Sequence, residues 1–348
     1  MRYFSASIFV TVVCLLLATW WGYTKGGVAG AAACFSIALI LGIMEVSLSF
    51  DNAVVNASVL KTWSEFWQKM FLTIGILVAV FGMRLIFPLV IVAQTADLSA
   101  AEVWNLALSN PNEFSVYLTN HHDEVAAFGG VFLLLVFLNF IFDSDKELHW
   151  LGKFEKQLAS YGKVAAVPVF IALIVALSSL TFVESGRELV VLKAGIWGIL
   201  IYVGVDILSN VLEEKQVTDV NVGSVVKGGS IGGFLYLEIL DASFSFDGVI
   251  GAFAITSDVV IIMLGLAIGA MFVRSITIYL VKQGTLEEYV FLEHGAHYAI
   301  GILAVIMFLS MGYHIPEVIT GLIGVAFILA SIWSSLNHRR KNIVSESE

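Results

Sequence analysis

Charge is scarce in this sequence. Only 13% of the 348 residues are Asp, Glu, Lys or Arg, roughly half the share found in ordinary soluble domains, and that shortage excludes a soluble enzyme. Basic residues are the scarcer sign, 18 Lys and Arg against 28 Asp and Glu for a net charge of -10. The positive footprint that phosphate binding needs is therefore missing, and nucleic acid is not a partner. The two cysteines, Cys14 and Cys34, each sit in an apolar run, which supports neither a disulfide framework nor a thiolate metal cluster. What is abundant is apolar: 59% of residues and a mean hydropathy of +0.91. With 30 Gly and 8 Trp, this is the composition of packed membrane helices, in which glycine lets backbones approach and tryptophan sits near the headgroups.

Crossing a hydrocarbon core of roughly 30 Å takes about 20 apolar residues, and about ten such runs can be read: 5–24, 28–55, 70–93, 125–142, 164–183, 190–212, 231–253, 259–281, 298–313 and 316–335. The fold class expected is an all-α polytopic transmembrane bundle. The first run is long for a signal peptide and reads as a retained span. Lys61, Lys69, Lys146, Lys153, Lys156, Lys163, Lys215, Lys227 and the tail Arg339-Arg340-Lys341 crowd one set of connections, which the positive-inside rule assigns to the cytoplasm. The connection 94–124 has no Lys or Arg but carries Asp97, Glu102, Glu113, Asp123 and Glu124, which suits the opposite side. Both termini are then cytoplasmic, in a membrane of the bacterial inner (plasma) type.

An internal repeat is short but pointed. Glu45-Val-Ser-Leu-Ser-Phe-Asp51-Asn52 reads in register against Asp241-Ala-Ser-Phe-Ser-Phe-Asp247-Gly248, and each copy is followed by a span with an arginine inside it, Arg84 and Arg274. Five spans separate the two starts, and an odd number inverts the second unit. The organisation expected is an N-terminal span (1–27), a first three-helix repeat (28–142), connecting spans and cytoplasmic loops (143–230), an inverted second repeat (231–313), and a last span with a basic tail (314–348). In such a construction equivalent segments meet near the midplane, where secondary transporters bind substrate.

Glu45, Asp51, Glu238, Asp241 and Asp247 all fall within spans, where an unpaired carboxylate costs about 2.5–3.5 kcal/mol on insertion scales. Either arginines neutralise some of them in structural pairs, or they hold a cation. At 100° per residue, Glu45, Ser49, Asn52 and Asn56 share one stripe of a helix while Asp51 lies elsewhere; Glu238, Asp241 and Ser245 share a stripe in the second copy. Aiming both Glu45 and Asp51 at one ion requires the helix to unwind around 49–52, or partners from the other copy; breaks are expected in both copies, with Gly248 available to loosen the second. Carboxylate, amide and hydroxyl oxygens without Cys or His select hard ions such as Mn²⁺, Mg²⁺ or Ca²⁺. The candidate metal set is thus Glu45, Asp51, Asn52, Glu238, Asp241 and Asp247, supported by Ser49, Ser245, Asn56, Arg84 and Arg274. His121, His122, Asp123 and Glu124 form an accessory cluster before the fourth span, with Glu293, His294 and His297 as its counterpart. Asp206, alone in the sixth span, reads as a proton relay or a capped structural acid.

At these residues the sequence resembles the TerC family of integral membrane proteins, whose signatures look like a Glu-x-x-x-x-x-Asp-Asn run (Glu45 to Asn52 here) and an Asp-x-x-x-Ser-x-Asp run (Asp241 to Asp247 here). Gly129-Gly130 and Lys146-Glu-Leu-His149 look like that family's third helix and its exit. The similarity covers roughly residues 28 to 336. It implies divalent metal handling, most often manganese export, with links to tellurite resistance and to metal loading of secreted enzymes. The long acidic connection 94–124, and Gly248 in place of Asn or Ser, depart from the family pattern. The expected function is therefore not enzymatic. It is export of a manganese-like divalent cation in exchange for protons, with no permanent cofactor and the lipid bilayer as surroundings. The alternative is a membrane assembly factor serving exported protein clients through an acidic outer loop. A homo-oligomer stays open under either.

Overall fold

The computed structural model describes residues 3–75, 77–95, 98–162, 164, 166–212 and 230–346. Of the residues singled out above, Asp97, Lys163, Lys215, Lys227 and the Asp247 side chain lie outside what is described. The described chain is all-helical. Its elements are α1 (Ser5–Leu48), α2 (Phe50–Leu60), α3 (Glu65–Met70), two π-helical stretches (Phe71–Gly75, Val78–Ile86), α4 (Phe87–Thr95), α5 (Ala100–Ser109), α6 (Pro111–Asn120) and α7 (His122–Ile141). There follow α8 (Lys153–Tyr161), α9 (Val167–Ser179), α10 (Glu188–Leu212), α11 (Ile231–Ile255), α12 (Val259–Lys282), α13 (Thr285–Glu288), α14 (Leu292–Ser310) and α15 (Glu317–Glu346).

Among the described residues seven helical segments are long and apolar enough to cross a bilayer: Ser5–Leu48, Glu65–Ala93, His122–Ile141, Glu188–Leu208, Val259–Lys282, Leu292–Ser310 and Ile319–Arg340. Three causes separate this count from the ten runs read in the sequence. The run 164–183 gives only the short apolar helix Val167–Phe182. The helix α11 is long but carries Glu238, Asp241 and Asp247. The third cause is that runs 5–24 and 28–55 share α1, which is broken by non-helical Gly26 and by Gly27 at φ 61°. In a straight helix Gly22 and Gly30 would stand about 12 Å apart, yet a Cβ on Gly22 would collide with the Gly30 carbonyl. Ala18 and Ala38 likewise join one apolar cluster. The chain therefore doubles back at Gly26-Gly27, a reversal that needs the left-handed freedom of glycine.

Compactness divides the chain into two units that interleave along the sequence. The first comprises Met1–Phe50, Lys69–His122 and Phe244–Tyr279. Here α1 packs on α12 through small residues: Gly42 lies against Ile268, Gly265 against Leu41 and the Ala38 carbonyl, and Gly269 against Glu45. Gly265 and Gly269 are a small-x-x-x-small pair, the spacing that lets membrane helices approach backbone to backbone. Polar clips tie the other arm of α1, ahead of the reversal, to the same helix. Ser7 Oγ donates to the Met271 carbonyl (2.5 Å) and meets Ser275 Oγ (2.6 Å), while Asp258 accepts from Trp21 Nε1 (3.0 Å) and Lys25 Nζ (2.9 Å).

The second unit comprises Asp51–Gln68, Asp123–Ser243 and Leu280–Glu348. Glycines again set its contacts: Gly129 and Gly130 of α7 receive Met307 and Phe308 of α14, Gly301 receives the Phe137 ring, and Gly295 faces Ser331 of α15. The long acidic connection 94–124 contains two short helices. Ser99 and Glu102 make a reciprocal capping box that starts α5, and Pro111 opens α6.

Candidate functional site

In the first unit, helix α1 ends at Leu48, with Ser49 at φ -102°, ψ 17°, and α2 starts one residue later. The break expected around 49–52 is present at its first residue. Its counterpart is absent: α11 runs unbroken from Ile231 to Ile255. Gly248 does not loosen that helix. It makes room, since a Cβ there would stand 2.7 Å from Glu45 Oε2. Glu45 is 1% exposed, and its Oε1 takes two donors. Arg84 NH2 donates to Glu45 Oε1 at 2.5 Å, Ser49 Oγ donates to the same oxygen at 3.2 Å, and Gly269 closes on its stem. Arg84 reaches this acid from a π-helical stretch, where its NH1 also donates to the Ala79 carbonyl (2.7 Å); π-helical turns recur at functional sites. Glu45–Arg84 is therefore a buried, hydrogen-bonded ion pair. Ser245 Oγ and Arg274 Nε are buried with no hydrogen-bond partner among the described residues.

The second unit holds Asp51, Asn52, Asn56, Glu238 and Asp241. Asp51 is buried with its Oδ1 accepting from the Asn52 N–H (2.9 Å), and Gly324 of α15 lies beside its other oxygen, a Cβ there standing 3.4 Å from Oδ2. Asn52 Nδ2 donates to Asp241 Oδ1 at 2.5 Å. That bond joins the first signature to the second across 189 residues of sequence. It uses one of the amide's donors and leaves its acceptor unused: Asn52 Oδ1, Asn56 Oδ1 and both oxygens of Glu238 are buried without a hydrogen-bond partner among the described residues. Each such group costs about 1–3 kcal/mol if left so. Acceptors in surplus and donors in deficit describe a place for a positive charge. Among the described residues no three His, Cys, Asp or Glu side chains converge as a ready-made metal cage, so amide oxygens, backbone and water would complete any coordination shell.

The accessory residues divide. Asp123 and Glu124 face Arg187, at 3.6 Å and 2.9 Å, a partner not singled out in the sequence. The pairing raises the Arg187 pKa against the opposing pull of burial. His121 and His122 sit at the turn between α6 and α7. On α14, His294 and Glu293 belong to a network that sequence reasoning also missed. Glu155 of α8 is fully buried and meets Lys146 Nζ (2.5 Å) and His294 Nε2 (3.4 Å), while accepting from the Leu151 N–H (3.0 Å). Burial pushes the Glu155 carboxyl up, but His294, Lys146 and that N–H together outweigh it and hold it at about 2. Glu293 pairs with Lys61 (3.1 Å), and His297 stacks on Phe140. Asp206 is half-buried and close enough to act electrostatically on the hydroxyls of Tyr202 and Tyr236, Tyr202 accepting from Asn139 Nδ2 (2.8 Å).

Fold and site together define an all-helical protein of membrane-spanning composition with buried motif acids, Glu45 in an ion pair and Asn52 and Asp241 joined beside unused acceptors. Residues 50–342 match the family model described as a protein of unknown function, DUF475, and the chain belongs to that family. Neither the curated proteins nor the solved structures contain a significant match to it.

Proposed function

We propose that the protein is a secondary transporter of the bacterial inner membrane, with both termini cytoplasmic, that exports a hard divalent cation of the manganese kind in exchange for protons. The observation that carries this reading is the Asn52–Asp241 bond. It brings together two signatures that the sequence places in separate repeats, in buried surroundings whose free groups are oxygen acceptors. Such a donor set suits Mn²⁺, Mg²⁺ or Ca²⁺. The inverted relation of the two repeats and the resemblance to the TerC family point the same way. Ligands must be deprotonated to bind metal, so protons are the simplest species to replace the ion when it leaves.

Asp51, Asn52 and Asp241 are assigned to the cation, whereas Glu45 is assigned to Arg84. In liposomes containing the purified full chain, an imposed pH gradient drives Mn²⁺ accumulation and each Mn²⁺ pulse shifts the lumenal pH. Asp51→Asn and Asp241→Asn each lower flux by about a hundredfold, the upper end of what losing a tuning contact at a metal site costs, with membrane abundance nearly unchanged. Absence of flux for every divalent ion tried would favour the assembly factor.

A further inference from the structure

The second unit contains one more contact that fixes the direction of α2 against α11. Asn52 touches Asp241, and eleven residues further along the chain Trp63 is the side chain a Cβ on Gly233 would strike, at 2.8 Å. Going forward from α2 therefore means going backward along α11, and the two segments are antiparallel. One turn after Asn52 comes Asn56, and one turn before Asp241 comes Glu238. Antiparallel pairing sets these two side by side, on the same faces that carry the Asn52–Asp241 bond.

This second tier repeats the chemistry of the first, an amide beside a carboxylate. It differs in that no hydrogen bond joins the pair. Glu238 is 5% exposed and Asn56 3% exposed. Among the described residues both Glu238 oxygens and Asn56 Oδ1 lack a hydrogen-bond partner. Three buried oxygens with no donor among them cannot satisfy one another. A proton on Glu238, a water or a cation between them can; the cation offsets the carboxylate's charge when bound, and the proton does so when the cation has left.

We propose that Asn56 and Glu238 form a second cation position, one helical turn from the Asn52–Asp241 position. It takes the same hard divalent cation, with water completing the shell. This rests on the transporter reading above and adds a property to it. At 1.5 Å per residue, three to four residues separate the tiers by roughly 4.5–6 Å. Two divalent ions that close repel each other, so arrival at one tier weakens hold at the other. Multi-site occupancy of that kind lets a pathway bind an ion firmly and still release it.

The test is the number of Mn²⁺ ions bound per chain, measured by equilibrium dialysis on the full-length protein in detergent at fixed pH, alongside flux in liposomes. The wild type binds two. Glu238→Gln and Asn56→Ala each bind one, with the first ion's affinity changed less than about threefold and flux lowered at least tenfold. Two substitutions on different helices guard against a folding defect in either. One ion bound by the wild type and by both variants, at equal affinity, would overturn the second position and leave the transporter intact. No ion bound and no flux in the wild type would overturn the transporter reading itself.

Discussion

Two buried acids of one motif, six residues apart, have opposite fates. Glu45 is gripped by Arg84 and Ser49 and hemmed in by Gly248 and Gly269. Asp51 accepts from the Asn52 backbone N–H, has no ion pair among the described residues, and has Gly324 beside its other oxygen. The same contrast separates Glu45 from Glu238, whose two oxygens have no hydrogen bond among the described residues. A buried carboxylate that already has its counter-charge has nothing left with which to bind an ion, and one without it is costly until something positive arrives. The acids of a repeat are thus not equivalent ligands. One holds helices, and on the transporter reading the others bind the ion.

The sharpest way to break this contrast is to remove the guanidinium. Arg84→Ala leaves Glu45 buried and uncompensated, which for a broken buried pair costs about 3–5 kcal/mol, so membrane abundance and thermal stability in detergent both collapse. Adding Glu45→Gln to Arg84→Ala recovers much of the loss, because the stranded charge is gone. Should Arg84→Ala prove no worse folded than Asp51→Asn, Glu45 would belong with the ligands.

A second fixed pair provides a control outside the spans. Glu155→Gln strips the buried Lys146 of its partner and costs about 2–3 kcal/mol, less than the loss at Glu45 because Lys146 keeps its bond to the Phe140 carbonyl (3.1 Å) and its place over the Phe140 ring. The sign with pH follows from the depressed carboxyl. Glu155 lies at about 2 in the fold against an ordinary 4.5, so its stabilisation is complete above 4.5 and is lost as pH falls through about 2. Melting curves in detergent from pH 7 downwards should show wild type and Glu155→Gln converging within that window. A constant gap at every pH would mean the pair contributes through shape alone.

Part of this was legible in the sequence. The Ser-Phe-Asp register of the two signatures located the buried acids, and an arginine inside an apolar run announced a paired carboxylate without telling which. Helix geometry placed Asn52 and Asn56 on one stripe, and the break at Ser49 followed from the need to re-aim Asp51. Glu155 escaped because a carboxylate in a lysine-rich connection has the pattern of a solvated loop, and burial of that one position depends on α14 arriving from 139 residues away in sequence. The arginine at 187 escaped for the same reason. Gly248 read as a loosened backbone, although its role is to leave space for a side chain from a distant helix. Periodicity reports the face a residue occupies, and a contact partner brought by tertiary packing leaves no mark on it.

The smallest effects come from two glycines that sharpen the comparison most directly. Alanine in a helix is favoured over glycine by about 0.5–1 kcal/mol, a gain available at both Gly269 and Gly324. At Gly269 the new methyl collides with the Glu45 stem, which Arg84 and Ser49 hold in place. Overpacking of that kind costs about 1–3 kcal/mol, so Gly269→Ala lowers the melting temperature. At Gly324 the methyl stands 3.4 Å from Asp51 Oδ2, ordinary van der Waals contact, so Gly324→Ala leaves stability unchanged or slightly raised. Its effect falls on the ion instead. A methyl against the oxygen that faces a cation narrows its approach, and apparent Mn²⁺ affinity in the liposome assay drops severalfold at full protein level. If Gly324→Ala instead melts early with unaltered affinity, Asp51 is packed as Glu45 is, and the division between holding acids and binding acids fails at its central residue.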